Sequence, residues 1–174
     1  GKAGIDQVYL DRLLHRIINN MDAALVTLKS GGLDTMDLTP VQASRGSNSE
    51  RFKREFQKFE YFAPSYSYIG WNNLSPIFRD KRVRQAMTYL TDRKQMVKTL
   101  LFGLGEVVNG PIFFFRPEYD KNLNEYAYNP DKGMSLLREA GWQDTDGDGV
   151  LDKVIDGQKT PFRFEFKIPS GSST

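Results

Sequence analysis

The chain has 174 residues, the length of one ordinary domain and short for two large ones. Hydrophobic residues make up 39% and aromatics 13%, which suffices for a core and excludes a disordered chain. With 24 basic and 22 acidic residues the net charge is +2, so composition gives no footprint for nucleic acid or a membrane surface. No apolar run approaches the roughly 20 residues of a spanning helix. The absence of cysteine excludes disulfides, thiolate nucleophiles and zinc–thiolate sites, and it is compatible with export. Gly1-Lys2-Ala3-Gly4 carries no signal peptide, so the expectation is a processed or excised chain.

Tyr9 to Ile18 alternates as a strand does, with Leu14, Arg16 and Ile18 on one face and Leu13, His15 and Ile17 on the other. The single histidine, His15, has no second histidine with which to share a metal or a triad, and reads as a strand residue. Asn19 and Asn20 supply caps for a helix carrying Met21, Ala24, Leu25 and Leu28, and Gly31 and Gly32 supply its left-handed stop. Leu33 to Leu38 follows as a strand, so the segment reads strand–helix–strand, a unit that normally pairs in parallel. Residues 39–50 are rich in Ser, Gly and Asn and read as a connector. Beyond them Phe52, Phe56 and Phe59 give the charged stretch Glu50–Lys58 one apolar side, as in a short amphipathic helix.

Phe59 to Trp71 is dense in Tyr and Phe, and its alternation of Tyr66, Tyr68 and Gly70 with Ser67, Ile69 and Trp71 reads as a strand. Asp80 caps a helix predicted over Lys81–Leu90, with Val83, Ala86, Met87 and Leu90 on one stripe. Thr91 or Asp92 caps the next, Arg93–Phe102, closed by Gly103. Gly105 to Phe115 reads as a loop ending in Phe113-Phe114-Phe115. Asn129-Pro130-Asp131 combines a cap, a proline suited to the first helical position and an acid at the positive end of the dipole. That helix buries Gly133, Leu136, Leu137 and Ala140 and ends at Gly141. A loop rich in Asp and Gly comes next, and then the alternating strand Phe162 to Ile168.

No catalytic constellation is present: no Gly-x-Ser-x-Gly elbow, no phosphate loop and no His-Glu-x-x-His. The chain is expected not to be an enzyme. Asp144-Thr-Asp146-Gly-Asp148-Gly-Val-Leu-Asp152 matches the start of a calcium loop, with four carboxylates in nine residues and a glycine for the turn. The twelfth loop position would fall on Ile155, which has no carboxylate. Calcium held by Asp144, Asp146, Asp148 and Asp152 therefore stands beside a solvated Asp-Gly turn as the two readings. The aromatic stretch Tyr61–Trp71 fits either a ligand pocket or a core strand. Arg82, Arg84 and Arg93 near helix starts fit either phosphate binding or a solvated helix face.

The order Tyr68-Ile-Gly-Trp-Asn72, Pro76-Ile-Phe-Arg-Asp80, Arg82-Val-Arg-Gln-Ala86 and Thr91-Asp-Arg93 resembles the bacterial extracellular solute-binding family 5. Members of that family bind oligopeptides, dipeptides and nickel chelates for ABC importers. Gly103-x-Gly105, Gly110-Pro111, Tyr128-Asn-Pro-Asp131 and Leu136-Leu-Arg-Glu-Ala-Gly-Trp142 continue the likeness in order. Ile77, between the proline and the phenylalanine, departs from the family's pattern.

The resemblance implies an α/β, type II solute-binding fold and a middle portion of a longer protein. Residues 1–70 would end the first lobe, and residues 71–174 would hold the hinge crossover and the start of the second. It also implies an extracytoplasmic or periplasmic location, a peptide or small-molecule ligand held without catalysis, a membrane permease as partner, and no required cofactor beyond possible calcium. Tyr66, Tyr68, Trp71 and Asn72 would border the cleft, with Ile168, Pro169, Ser170 and Gly171 approaching from the second lobe. A partial lobe with an open sheet edge is expected to form a homo-oligomer. A ligand-sensing module and a calcium-stabilised structural module are the other readings.

Overall fold

The structure is a computed structural model that describes residues 10–168. It divides into two units, Gly1–Glu60 and Tyr61–Thr174. Tyr9, Pro169, Ser170 and Gly171 lie outside the described residues.

In the first unit, helix α1 spans Met21–Lys29, and Asn20 caps it by accepting the Ala23 N–H at 2.9 Å. Its end is a Schellman motif. The Gly32 N–H donates to the Thr27 carbonyl at 2.8 Å and the Gly31 N–H to that of Leu28 at 3.0 Å, with Gly31 at φ +79°. Leu25, Leu28 and Phe52 make a small core, joined by Leu33, Met36, Leu38 and Phe56. Phe52 lies on α2, Glu50–Glu55, which Ser49 caps.

Two expectations for this unit are corrected. The segment Leu13–Ile18 is not a strand, and neither is Leu33–Leu38. Alternation alone does not make a ladder. Each strand needs a neighbour for its N–H and C=O groups, and none is present among the described residues here. Leu13 and Ile17 on one face are 71% and 91% exposed and Leu14 on the other is 67% exposed, so neither face has a full covering layer. The Ser-, Gly- and Asn-rich stretch 39–50 holds a π-helical turn, Gln42–Gly46. Thr39 and Gln42 form a reciprocal capping box: each backbone N–H donates to the other's side-chain oxygen at 3.2 Å, with Pro40 following the cap. Gln42 is buried and its amide donates to Asp22 at 2.9 Å.

The second unit is built on α3, Lys81–Tyr89, and α5, Pro130–Glu139, which pack on each other. Asp80 caps α3 and Asn129 caps α5. The Asn129 N–H also donates to the Tyr89 carbonyl at 2.9 Å, which sets the start of α5 beside the end of α3. Gly133 lets the two helices close. A Cβ there would lie 2.6 Å from Leu90 Cγ and 3.2 Å from the Ala86 carbonyl oxygen. Ile77, Phe78, Val83, Ala86, Leu137, Ala140 and Trp142 are the buried core. Trp142 enters it through a second Schellman motif, in which its N–H donates to the Leu137 carbonyl and Gly141 takes φ +86°. Helix α4, Arg93–Leu100, is capped by Asp92 and leaves no residue fully buried.

The ordered strands lie where the sequence reading placed none. β1, Asp152–Ile155, pairs antiparallel with β2, Gln158–Pro161. The two are joined by Asp156-Gly157, both at positive φ, 52° and 81°, as a type I′ turn demands. Of Phe162–Ile168 only the Phe162 N–H extends the ladder, donating to the Leu151 carbonyl at 2.7 Å; residues 163–168 form no strand, and neither does Phe59–Trp71. Both were expected as strands. Their alternation is present, and the partner backbone is missing among the described residues.

Candidate functional site

Tyr66 and Tyr68 stand on the extended segment after Pro64, 50% and 79% exposed, with ring centroids 5.9 Å apart. Trp71 behaves differently. It stacks on Phe78 at 4.8 Å and meets Phe164 edge-on at 6.0 Å, so its indole belongs to the core margin. Asn72 closes an Asx turn, its Oδ1 accepting the Leu74 N–H at 3.0 Å. Ile168 is 73% exposed. Along the last described segment Phe162 and Phe164 reach the core aromatics, while Phe166 and Ile168 run out into solvent. Thus the structure brings Trp71 and Phe164 together, and leaves Tyr66, Tyr68 and Ile168 as exposed apolar surface.

The acidic loop is tightly organised. Carboxylate oxygens of Asp144, Asp146 and Asp152 lie within 4.8 Å of one another, and Asp148 is not among them. Asp152 is buried: Thr145 donates to it from Oγ1 at 2.7 Å and from its backbone N–H at 3.1 Å. The Lys159 ammonium sits 2.5 Å from Asp146 and 3.3 Å from Asp152. Asp144 takes the N–H groups of Gly147 at 2.7 Å and Gly149 at 3.0 Å. Asp148 takes the Val150 N–H and faces Arg163 at 3.8 Å. The Thr145 hydroxyl holds the Asp152 carboxyl below its ordinary range, and Lys159 does the same for Asp146. Asp146 in turn raises the ammonium of Lys159. As a calcium site the donor set is incomplete: three converging carboxylates, a lysine between two of them, and a strand in place of the exit helix.

The three arginines have structural partners. Arg82 pairs with Asp80 at 2.7 Å and donates to the Glu139 carbonyl at 2.7 Å, tying α3 to the end of α5. Arg84 donates to the carbonyls of Phe78 and Arg79. Arg93 was unforeseen in its role. Its guanidinium donates to the carbonyls of Val108, Glu125 and Tyr126 and to Asn109 Oδ1, clamping two loops to the start of α4. The only sequence signal for this was its place directly after the capping Asp92. A pocket of about 400 Å³ beside the clamp is lined by Lys94, Glu106, Asn109 and Glu125, among others, and Lys94 pairs with Glu125 at 2.7 Å. A second, of about 300 Å³, lies over the acidic loop. Tyr66, Tyr68, Trp71, Asn72 and Ile168 line neither.

Comparison with known proteins decides the family. The profile described as bacterial extracellular solute-binding proteins, family 5 Middle, matches residues 3–174. The chain belongs to this family. It is 37% identical over 166 residues to the oligopeptide-binding protein AppA of Bacillus subtilis, covering 94% of this chain and 29% of that protein. The structure of AppA in complex with a nonapeptide superposes with a TM-score of 0.67 at 35% identity, over 82% of this chain and 28% of AppA. NikZ from Campylobacter jejuni, in complex with Ni(L-His), gives a TM-score of 0.67 at 28% identity, covering 82% and 27%. The oligopeptide-binding protein of Thermus thermophilus complexed with a pentapeptide gives 0.60 at 26%, covering 84% and 26%. The family 5 chain described here therefore spans less than a third of the length of the relatives it matches. Its fold is a mixed α/β part of the type II solute-binding architecture, and the family is an extracytoplasmic, non-catalytic one.

Proposed function

We propose that this chain is the middle part of a ligand-binding component of an ABC importer, and that the whole protein takes a peptide. The observation that carries this reading is the 35% identity and common fold with AppA, whose structure holds a nonapeptide. The site chemistry agrees. The family 5 chain offers exposed aromatic rings and extended backbone outside any sheet among the described residues, and such surfaces hold a ligand by burial and hydrogen bonding without covalent change.

Tyr66 and Tyr68 border the cleft in this reading, and Ile168 to Gly171 approach from the second lobe. The crossover between lobes lies near Gly70 to Asn73. Support for that position comes from Trp71, which is the first residue after the extended aromatic segment to stack on the core. Closure of the lobes over the ligand would present the form that a membrane permease reads. The test is to purify the full-length parent from its own host and identify what co-purifies by native mass spectrometry. A family of peptides is the expected result. A metal chelate in their place, together with no fluorescence response to a peptide library, would overturn the peptide assignment.

A further inference from the structure

We infer that Lys159 is the built-in cation of the acidic loop, so that the Asp144–Asp152 segment holds its shape without a divalent ion. The sequence presents this loop as a calcium motif, and the family reading leaves it unexplained. In the structure every carboxylate of the motif is answered by the chain itself. Asp146 and Asp152 share the Lys159 ammonium at 2.5 and 3.3 Å. Asp144 is taken up by the N–H groups of Gly147 and Gly149. Asp148 is turned away toward Arg163.

The hairpin is what delivers the lysine. The type I′ turn at Asp156-Gly157 fixes the β1–β2 register, in which Asp152 is opposite Pro161 and Lys153 is opposite Thr160. That register brings the Lys159 side chain back over the loop. A calcium ion needs six to eight oxygens at about 2.3–2.6 Å, and here an ammonium bridges two of the three converging carboxylates. Two like charges as close as Asp146 and Asp152 repel unless a cation lies between them. Asp152 is buried, so its charge has little water to replace that cation.

The experiment uses the 174-residue chain and calcium chloride or a chelator as the probe, with thermal unfolding as the readout. The wild type is expected to melt at the same temperature, within about 1 °C, in chelator and in millimolar calcium. A saturable rise with calcium would overturn the inference, since any ion bound only by the folded state raises Tm. Lys159→Met keeps the apolar stem and removes the charge. In chelator it is expected to lower Tm by about 2–4 °C, and Lys159→Arg to restore most of the loss. Asp146→Asn should cost less in the Lys159→Met background than in the wild type, a coupling that a merely packing role of the stem would not produce. A Lys159→Met chain as stable as the wild type, or strictly additive shifts, would show that Lys159 is not the loop's cation. The calcium titration of the wild type stands even if a variant fails to fold.

Discussion

The α3–α5 region and the aromatic segments Tyr61–Gly70 and Arg163–Ile168 both carry apolar side chains and differ in what becomes of them. The first buries Val83 and Ala86 completely and Trp142 to 1% exposure. The second leaves Tyr61 at 73%, Tyr68 at 79% and Ile168 at 73%. Local chemistry explains the difference. A helix satisfies its own backbone and needs only one face covered, so a cap, a proline, a glycine stop and an apolar stripe are enough to specify it. A strand must borrow its hydrogen bonds from a neighbour distant in sequence. The two helices find each other within this chain, and the two aromatic segments find no ladder partner among its described residues.

The largest way to test the contrast is to remove the centre of the packed region. Trp142→Ala deletes a fully buried indole that meets Phe162 edge-on at 4.8 Å. It should destabilise by about 3–5 kcal/mol, a large share of a typical domain's stability. Urea unfolding followed by circular dichroism measures it. A loss below about 1 kcal/mol would mean that the helical region does not depend on this core. Next comes Gly133→Ala, whose new methyl would meet Leu90 and the Ala86 carbonyl. The overpacking should cost about 1–3 kcal/mol, although alanine is intrinsically the better helix former. A stabilised variant would show that α3 and α5 separate easily.

Asn129→Ala should cost about 1 kcal/mol, by leaving the Lys132 N–H without its cap acceptor. This cap, the Pro130 start and the Gly141 stop were all legible in the sequence because each acts within a few residues. So were Asn20, Asp80 and Asp92 as caps. The Thr39–Gln42 box was equally legible in principle, but a stretch rich in Ser and Asn hid it. The Asp156-Gly157 turn follows four aspartates whose spacing also fits a metal loop, so its local pattern had two readings. By contrast, no local pattern could show that residues 163–168 find no strand partner among the described residues, or that Arg93 would reach carbonyls from Val108 to Tyr126. Those facts depend on residues far along the chain. Of the residues read as a cleft border, Tyr66, Tyr68 and Ile168 are exposed, whereas Trp71 stacks on Phe78, a contact that no local pattern announces.

Acid should act unevenly within the packed region, on the Asp144–Asp152 loop before helices α3 and α5. Asp80, Asp146 and Asp152 all have folded-state values below the ordinary 3.8, through Arg82, Lys159 and Thr145 respectively. A depressed carboxyl contributes stability that is fully present above its unfolded value and is lost as pH falls through the folded one. Stability should thus be level from about pH 7 to 5 and decline below about 4. Two of the three groups lie in the Asp144–Asp152 loop, so amide exchange there should speed up before exchange in α3 and α5 does. Simultaneous loss in both regions would mean that the loop and the helices unfold as one unit.

The smallest expected effect is the sharpest on function. Tyr66→Ala and Tyr68→Ala remove side chains that are 50% and 79% exposed and whose rings lie 5.9 Å apart. Each should change the stability of this chain by less than about 0.5 kcal/mol, as exposed substitutions away from caps and cores do. In the full-length parent the same changes should weaken peptide binding by roughly tenfold or more if the rings pack on the ligand, since a buried aromatic contact is worth about 1–3 kcal/mol. The pairing of the two measurements carries the argument. A residue that is silent in folding and costly in binding belongs to the cleft border. A tyrosine that lowers stability and affinity together would instead be part of a packed strand in the whole protein. Trp71→Ala is the control: with its indole stacked on Phe78, it should fail both measurements at once.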